Sequence, residues 1–268
     1  LATVLFGDGR GGFALPEAHL AGGEVPVGIA IASIDGPESD DLVVANVFDR
    51  EINVLYSDGA GGFGAPVTIE LNSSPTHVAT ADLDQDGDTD IMIGSESGIL
   101  SMALNMGGGQ FAIRDLLTRP GGGWCMVLED LDGDGLVDLA RTARDHNLVH
   151  IWLGTTGADF IDGGSVQVGK GPLGIASADI DRDGSMDLVV TNGDDDTISP
   201  LLGDGLGGFT PAPTINVGTR PSHLVATDLN NDGVLDLAVL NNGSRDIDLL
   251  IGDGQGGFLF GAVRYVGD

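Results

Sequence analysis

One cysteine, Cys125, stands in 268 residues, so no internal disulfide can staple the chain. Bases are scarce. The 11 Lys and Arg face 41 Asp and Glu, for a formal charge of −30, which excludes the basic surface that nucleic-acid phosphates require. Aromatics are only 5% of the chain; beyond the Phe residues there are Trp124, Trp152, Tyr56 and Tyr265, too few and too irregularly placed for a multivalent sugar platform. No apolar run reaches transmembrane length and no signal-peptide pattern is present. The sequence therefore reads as a mature or partial chain, soluble as given, with no membrane insertion. GxSxG, P-loop, HExxH and paired-Cys motifs are missing and the five His are scattered, so no catalytic or cofactor-binding residue is assigned and a non-enzymatic role is expected.

What the chain has instead is Gly, 45 residues of it, and one acidic loop written four times: DLDQDGDTD at 82–90, DLDGDGLVD at 130–138, DIDRDGSMD at 179–187 and DLNNDGVLD at 228–236. Each loop sets oxygen-bearing side chains at its first, third, fifth and ninth positions and Gly at its sixth. That alternation lets a curled backbone aim several hard donors at one centre, and calcium, which takes six to eight oxygens in flexible geometry, is the cation that fits. The expected ligand sets are Asp82, Asp84, Asp86 and Asp90; Asp130, Asp132, Asp134 and Asp138; Asp179, Asp181, Asp183 and Asp187; and Asp228, Asn230, Asp232 and Asp236. The seventh residues, Asp88, Leu136, Ser185 and Val234, would add a backbone carbonyl each. The last loop, with an amide in place of a carboxylate, should bind more weakly.

These are not EF-hands. Position twelve is Ile93, Arg141, Val190 or Val239 rather than a bidentate Glu, and it lies in apolar runs such as DLVV that suit a buried strand. The competing reading is a set of Asp-Gly turns that bind nothing. Four loops at fixed spacing weigh against it, since a turn does not need four acids. A fifth copy, Ser33 to Asp41, has lost two ligands and the turn Gly, so it is expected to keep the fold and hold no calcium. About four calcium ions would bring the formal charge to about −22, and the fold should depend on them.

A second motif keeps the same beat: LFGDGRGGF (5–13), LYSDGAGGF (55–63), ALNMGGGQF (103–111), WLGTTGADF (152–160), LLGDGLGGF (201–209) and LIGDGQGGF (250–258). The closing Phe13, Phe63, Phe111, Phe160, Phe209 and Phe258 are spaced by 50, 48, 49, 49 and 49 residues. They are read as hairpin anchors rather than ligands. A unit of about 49 residues with four short strands, copied about five and a half times, is an all-β pattern of β-propeller blades. One further position recurs at the start of each innermost strand: Gly28, His77, Cys125, Gly174 and His223. It reads either as a polar strand end or as a convergence of His77, Cys125 and His223 on a ligand or transition metal.

With DxDxDGxxD running into DLVV and a Gly-rich turn closing on Phe, the chain resembles the FG-GAP or VCBS repeat of integrin α-subunit heads and many bacterial secreted proteins, over essentially its whole length. The resemblance implies a calcium-stabilised propeller, often of seven blades, serving adhesion, glycan recognition or accompaniment of a catalytic domain. The expected division of the single domain 1–268 is a half blade (1–23) and blades at about 24–72, 73–120, 121–169, 170–218 and 219–268, part of a six- or seven-bladed ring. An extracellular or cell-surface setting follows from calcium availability. The preferred role is an adhesion, interaction or scaffold module with a protein or glycan partner. A glycan-binding propeller or accessory domain of a polysaccharide-active enzyme is the alternative, and self-association through open blade edges into a fibre is the third.

Overall fold

The computed structural model describes residues 2–4, 17–19, 22–36, 39–118 and 123–265. The first Gly-rich turn with Phe13, and Pro37 and Glu38 of the first loop, lie outside them. Two compact units divide the chain, Leu1–Arg119 and Pro120–Asp268.

The first unit holds a two-stranded sheet, β1 (Ala2–Val4) with β2 (Glu17–His19), and two antiparallel meanders of four strands. The first blade is β3 (Pro26–Ala32), β4 (Asp41–Asn46), β5 (Glu51–Leu55) and β6 (Val67–Glu70). The second is β7 (Pro75–Ala81), β8 (Asp90–Ser95), β9 (Ile99–Asn105) and β10 (Phe111–Thr118).

The second unit repeats the pattern. Its third blade is β11 (Met126–Glu129), β12 (Asp138–Ala143), β13 (Leu148–Thr155) and β14 (Asp159–Gln167). The fourth is β15 (Pro172–Ala178), β16 (Asp187–Asn192) and β17 (Thr197–Gly203), with its outer strand broken into β18 (Phe209–Pro211) and β19 (Ile215–Asn216). Both pieces pair with β17. Pro211 and Pro213 explain the break, because neither can donate to a ladder. The fifth is β20 (Pro221–Thr227), β21 (Asp236–Asn241), β22 (Asp246–Gly252) and β23 (Phe258–Tyr265).

The DLVV-type runs become the second strand of a blade, with DLARTA in their place in the third, and their mostly apolar character has a plain cause. Every residue of β4, β8, β12 and β16 is buried, as a strand covered on both faces must be. Layers of apolar side chains lie between neighbouring blades: Val43, Ile52 and Val54 of the first blade pack with Val78, Ile91 and Ile93 of the second. Within the second unit, Leu131, Val149 and Ile151 pack with Ile175, Leu188 and Leu201, and Val189 and Ile198 with Leu224, Val239 and Leu250. Each such side chain contributes about 1.5–3 kcal/mol of transfer free energy. Phe258 joins the last layer, and Phe63, Phe111 and Phe209 pack half-buried against their own, so these four closing aromatics act as anchors. Trp152 is buried in the third blade, 5.6 Å from His150 between ring centroids, and is not a surface platform for sugars.

Candidate metal centres

Each acidic loop joins the first strand of a blade to the second, and its own side chains fold it. In the third blade the Asp130 carboxylate accepts N–H donors from Gly133 (2.8 Å) and Gly135 (2.9 Å), Asp132 accepts from Asp134 (3.1 Å), and Asp134 from Leu136 (2.8 Å). The other loops repeat this. Asp179 accepts from Arg182 and Gly184, Asp181 from Asp183, and Asp183 from Ser185. Asp228 accepts from Asp232 and Gly233, Asn230 from Asp232, and Asp232 from Val234. In the second blade Asp82 accepts from Gly87, Asp84 from Asp86, and Asp86 from Asp88. Successive Asx turns of this kind need left-handed backbone at the fourth and sixth positions, as at Arg182 (φ 65°) and Gly184 (φ 91°). The seventh residues, Asp88, Leu136, Ser185 and Val234, thus enter through their amides, which donate to position five.

The ninth aspartate behaves differently. Asp138 is fully buried, and its two oxygens accept the N–H of Leu131 at 2.8 Å and of Gly154 at 2.7 Å. The same pair of bonds ties Asp90 to Leu83 and Asn105, Asp187 to Ile180 and Gly203, and Asp236 to Leu229 and Gly252. It also ties Asp41 to Ile34 and Ser57, in the copy that has lost two of the other ligands. The ninth position therefore pins the loop entrance to the end of the third strand whether or not a metal set accompanies it. Sequence reading assigned it only a ligand role, because one letter serves both tasks.

Three acidic triads come together among the described residues: Asp82, Asp84 and Asp86; Asp130, Asp132 and Asp138; Asp179, Asp181 and Asp187. In each, one oxygen per residue lies within 4.8 Å of the others. Oxygens sharing a calcium at 2.3–2.6 Å can be at most about 5 Å apart, so the spacing suits that ion. Asp82 supplies a further sign of fit. Its Oδ1 is buried without a hydrogen-bond partner, an uncompensated acceptor that a cation would satisfy. Asp90, Asp134 and Asp183 fall outside the triads, and the fourth loop, with Asn230, forms no carboxylate triad among the described residues.

Electrostatics follow burial. Desolvation pushes the Asp90 and Asp138 carboxyls up to about 6 against their backbone donors, with the neighbouring Asp84 and Asp86, or Asp132 and Asp134, adding to the rise. Asp187 is raised for the same reasons. Half-buried Asp228 is held below its ordinary value by backbone N–H donors, Gly233 foremost.

Hairpins of the following blade back the loops. Gly207 donates to Leu131 O (3.2 Å) and Gly256 to Ile180 O (3.3 Å); in the first unit the Asn105 side-chain amide donates to Ile34 O at 2.8 Å. The GDGxGG turns carry their own staple, as when Asp204 accepts from Leu206 and Gly208.

At the two glycines of the recurrent inner-strand position, neighbouring backbones approach closely. A Cβ on Gly174 would stand 2.6 Å from Ser222 O and 2.9 Å from His223 Cα, and one on Gly28 would stand 3.2 Å from His77 Cα. Burial pushes the Cys125 thiol up. The triads consist of aspartates alone.

The model of the FG-GAP-like repeat matches residues 34–93, 82–141, 130–190 and 179–239. Among solved structures the chain is similar to an Agrocybe aegerita lectin that recognises non-reducing terminal N-acetylglucosamine, at 18% identity over 98% of this chain and 73% of that chain, with a TM-score of 0.66. It is similar to a functionally unknown protein from Desulfotomaculum acetoxidans at 15% identity over 94% and 72%, with a TM-score of 0.69. A third is the periplasmic gluconolactonase of Pseudomonas aeruginosa, at 17% identity over 85% and 68%, with a TM-score of 0.66. These likenesses show the fold, a β-propeller, and no more. No curated protein matches the chain.

Proposed function

Because the chain belongs to the FG-GAP-like repeat family, we propose that it is a calcium-stabilised, non-catalytic propeller module that presents its loops to an extracellular protein or glycan. The observation that carries the calcium reading is the gathering of three carboxylates in each of three loops, with Asp82 Oδ1 left unsatisfied in one of them. Asp82, Asp84 and Asp86 would hold one ion, Asp130, Asp132 and Asp138 a second, and Asp179, Asp181 and Asp187 a third. The loop of Asp228, Asn230 and Asp232 holds a fourth more weakly, and the loop from Ser33 to Asp41 holds none. Such sites fill at the millimolar calcium found outside cells, which supports a secreted or cell-surface setting. The scaffold role is supported by ligands that also fold their own loops: bound calcium adds rigidity there and offers no open carboxylate for acid–base work. No helix among the described residues is long and apolar enough to cross a membrane.

Metal content of the purified, calcium-equilibrated chain by mass spectrometry tests this reading. About four calcium ions per chain, not displaced by equimolar magnesium, is the expected result; a calcium-free chain would sink it.

A further inference from the structure

Away from the acidic loop of the second blade, at the Ser95 end of β8, the chain departs from its own repeat. In the first, fourth and fifth blades the amides of the connector entering the inner strand are capped by oxygens of nearby turns. Glu24 donates to Asp49, Lys170 to Asp195 Oδ2 at 2.8 Å and Thr219 to Ser244 Oγ at 3.1 Å. One residue on, Gly171 donates to Asn147 Oδ1 at 3.0 Å and Arg220 to Asp196 Oδ1 at 2.8 Å. Asn147 and Asp196 hold the left-handed position of the preceding blade's turn, with φ of 58° and 56°.

In the connector of the second blade the equivalent donors are the amides of Ser73 and Ser74. Neither has a hydrogen-bond partner among the described residues. Two changes account for this. The left-handed turn position of the first blade is Arg50 (φ 56°), a side chain with no acceptor to offer. The second blade's own turn is one residue shorter, since Gly94 pairs with Leu100 whereas Ala45 pairs with Ile52, so no side chain of that turn reaches back. The outcome is an open groove of about 490 Å³, lined by Arg50, Asn72, Ser73, Ser74, Glu96 and Ser97, with Ile99 as its apolar member.

We propose that this groove binds the carboxylate of an acidic sugar, a hexuronate-like unit. Where other copies place an Asp carboxylate or a neutral side-chain oxygen on these amides, an external carboxylate takes its place, and the Arg50 guanidinium beside it supplies the charge complement and a forked donor. The remaining polar lining matches the rest of a sugar. Ser73, Ser74 and Ser97 offer hydroxyls, Asn72 an amide, and Glu96 an acceptor for ring hydroxyls while disfavouring a polyanion. The volume holds a monosaccharide unit. This assignment deepens the recognition role proposed above and names its ligand class.

The test titrates the calcium-loaded, full chain with methyl glucuronide, methyl glucoside and N-acetylaspartate amide, read by ligand-observed NMR and calorimetry, with bound calcium counted in the same sample. The glucuronide should bind at one site, at least about tenfold more tightly than either other probe. Arg50→Asp, which copies Asp196, should cap the Ser74 amide internally and abolish glucuronide binding while the melting temperature stays the same or rises. Equal binding of glucuronide and glucoside, an aspartate amide that matches the glucuronide, no glucuronide binding, or full binding by the Arg50→Asp chain would each overturn the proposal. Lost sugar binding with about four calcium ions retained indicts the groove alone; lost calcium indicts the module reading.

Discussion

Loop 33–41 and loop 130–138 end on the same aspartate making the same two bonds, yet among the described residues only the second gathers three carboxylates. Asp41 and Asp138 are both fully buried and both accept an amide from their own loop and one from the end of the third strand. The difference lies in the positions ahead of them. Ser33 stands where Asp130 accepts two backbone donors, and its hydroxyl meets Asp40 instead at 3.3 Å. The pair separates two roles that one motif writes together: a framework carboxylate that every blade needs, and a cation set that a blade can lose.

The sharpest way to break that separation is to remove the framework carboxylate from both loops. Asp41→Ala and Asp138→Ala should each cost about 3–5 kcal/mol, since two buried or part-buried amides lose their acceptor. Urea unfolding would show the Asp41→Ala loss unchanged by chelator. A mild Asp41→Ala would mean that the ninth position matters only through metal. Next in size, Asp130→Ala should cost about 2–3 kcal/mol in calcium well above its dissociation constant, and little or nothing in chelator, where removing one of three clustered charges offsets the lost turn bonds. Loss of equal size in both conditions would contradict a metal role.

Acid sharpens the comparison without mutation. In the metal-free chain Asp90 and Asp138 stay protonated up to about 6 when folded, whereas unfolded they ionise near the ordinary carboxylate value. The folded state therefore holds more protons between those values, and stability falls as pH rises through that window. Melting temperatures in chelator should drop from pH 4.5 to 7, and calcium should flatten or reverse the trend. The smallest effect concerns the backing hairpins. Gly207 and Gly256 both have φ 79°, and an added Cβ would meet Leu153 or Leu202 at 2.8 Å, whereas Gly109, behind loop 33–41, meets only the Tyr56 hydroxyl at 3.5 Å. Gly207→Ala should thus cost about 1–2 kcal/mol and Gly109→Ala less, by thermal unfolding.

Much of this architecture is legible in the letters. Runs such as DLVVAN and DLVVTN announce strands covered on both faces, and the 49-residue beat of acidic loop and Phe sets four strands to a blade. The triads follow from the Asp spacing, although their membership does not: Asp138 joins one and Asp90 does not join its counterpart. Trp152, which composition alone leaves free for a ligand, is buried because its strand lies between layers. The groove at Arg50 escapes sequence reading for another reason. It arises from a turn shortened by one residue and from amides left bare, and backbone donors carry no letter.

Amide hydrogen exchange, resolved by peptide and followed with and without calcium, tests the central claim most directly. Calcium should slow exchange in loops 82–90, 130–138 and 179–187, slow it less in 228–236, and leave 33–41 unchanged. Equal protection of all five loops, or of none, would contradict the division of each motif into a framework carboxylate and a separable calcium set.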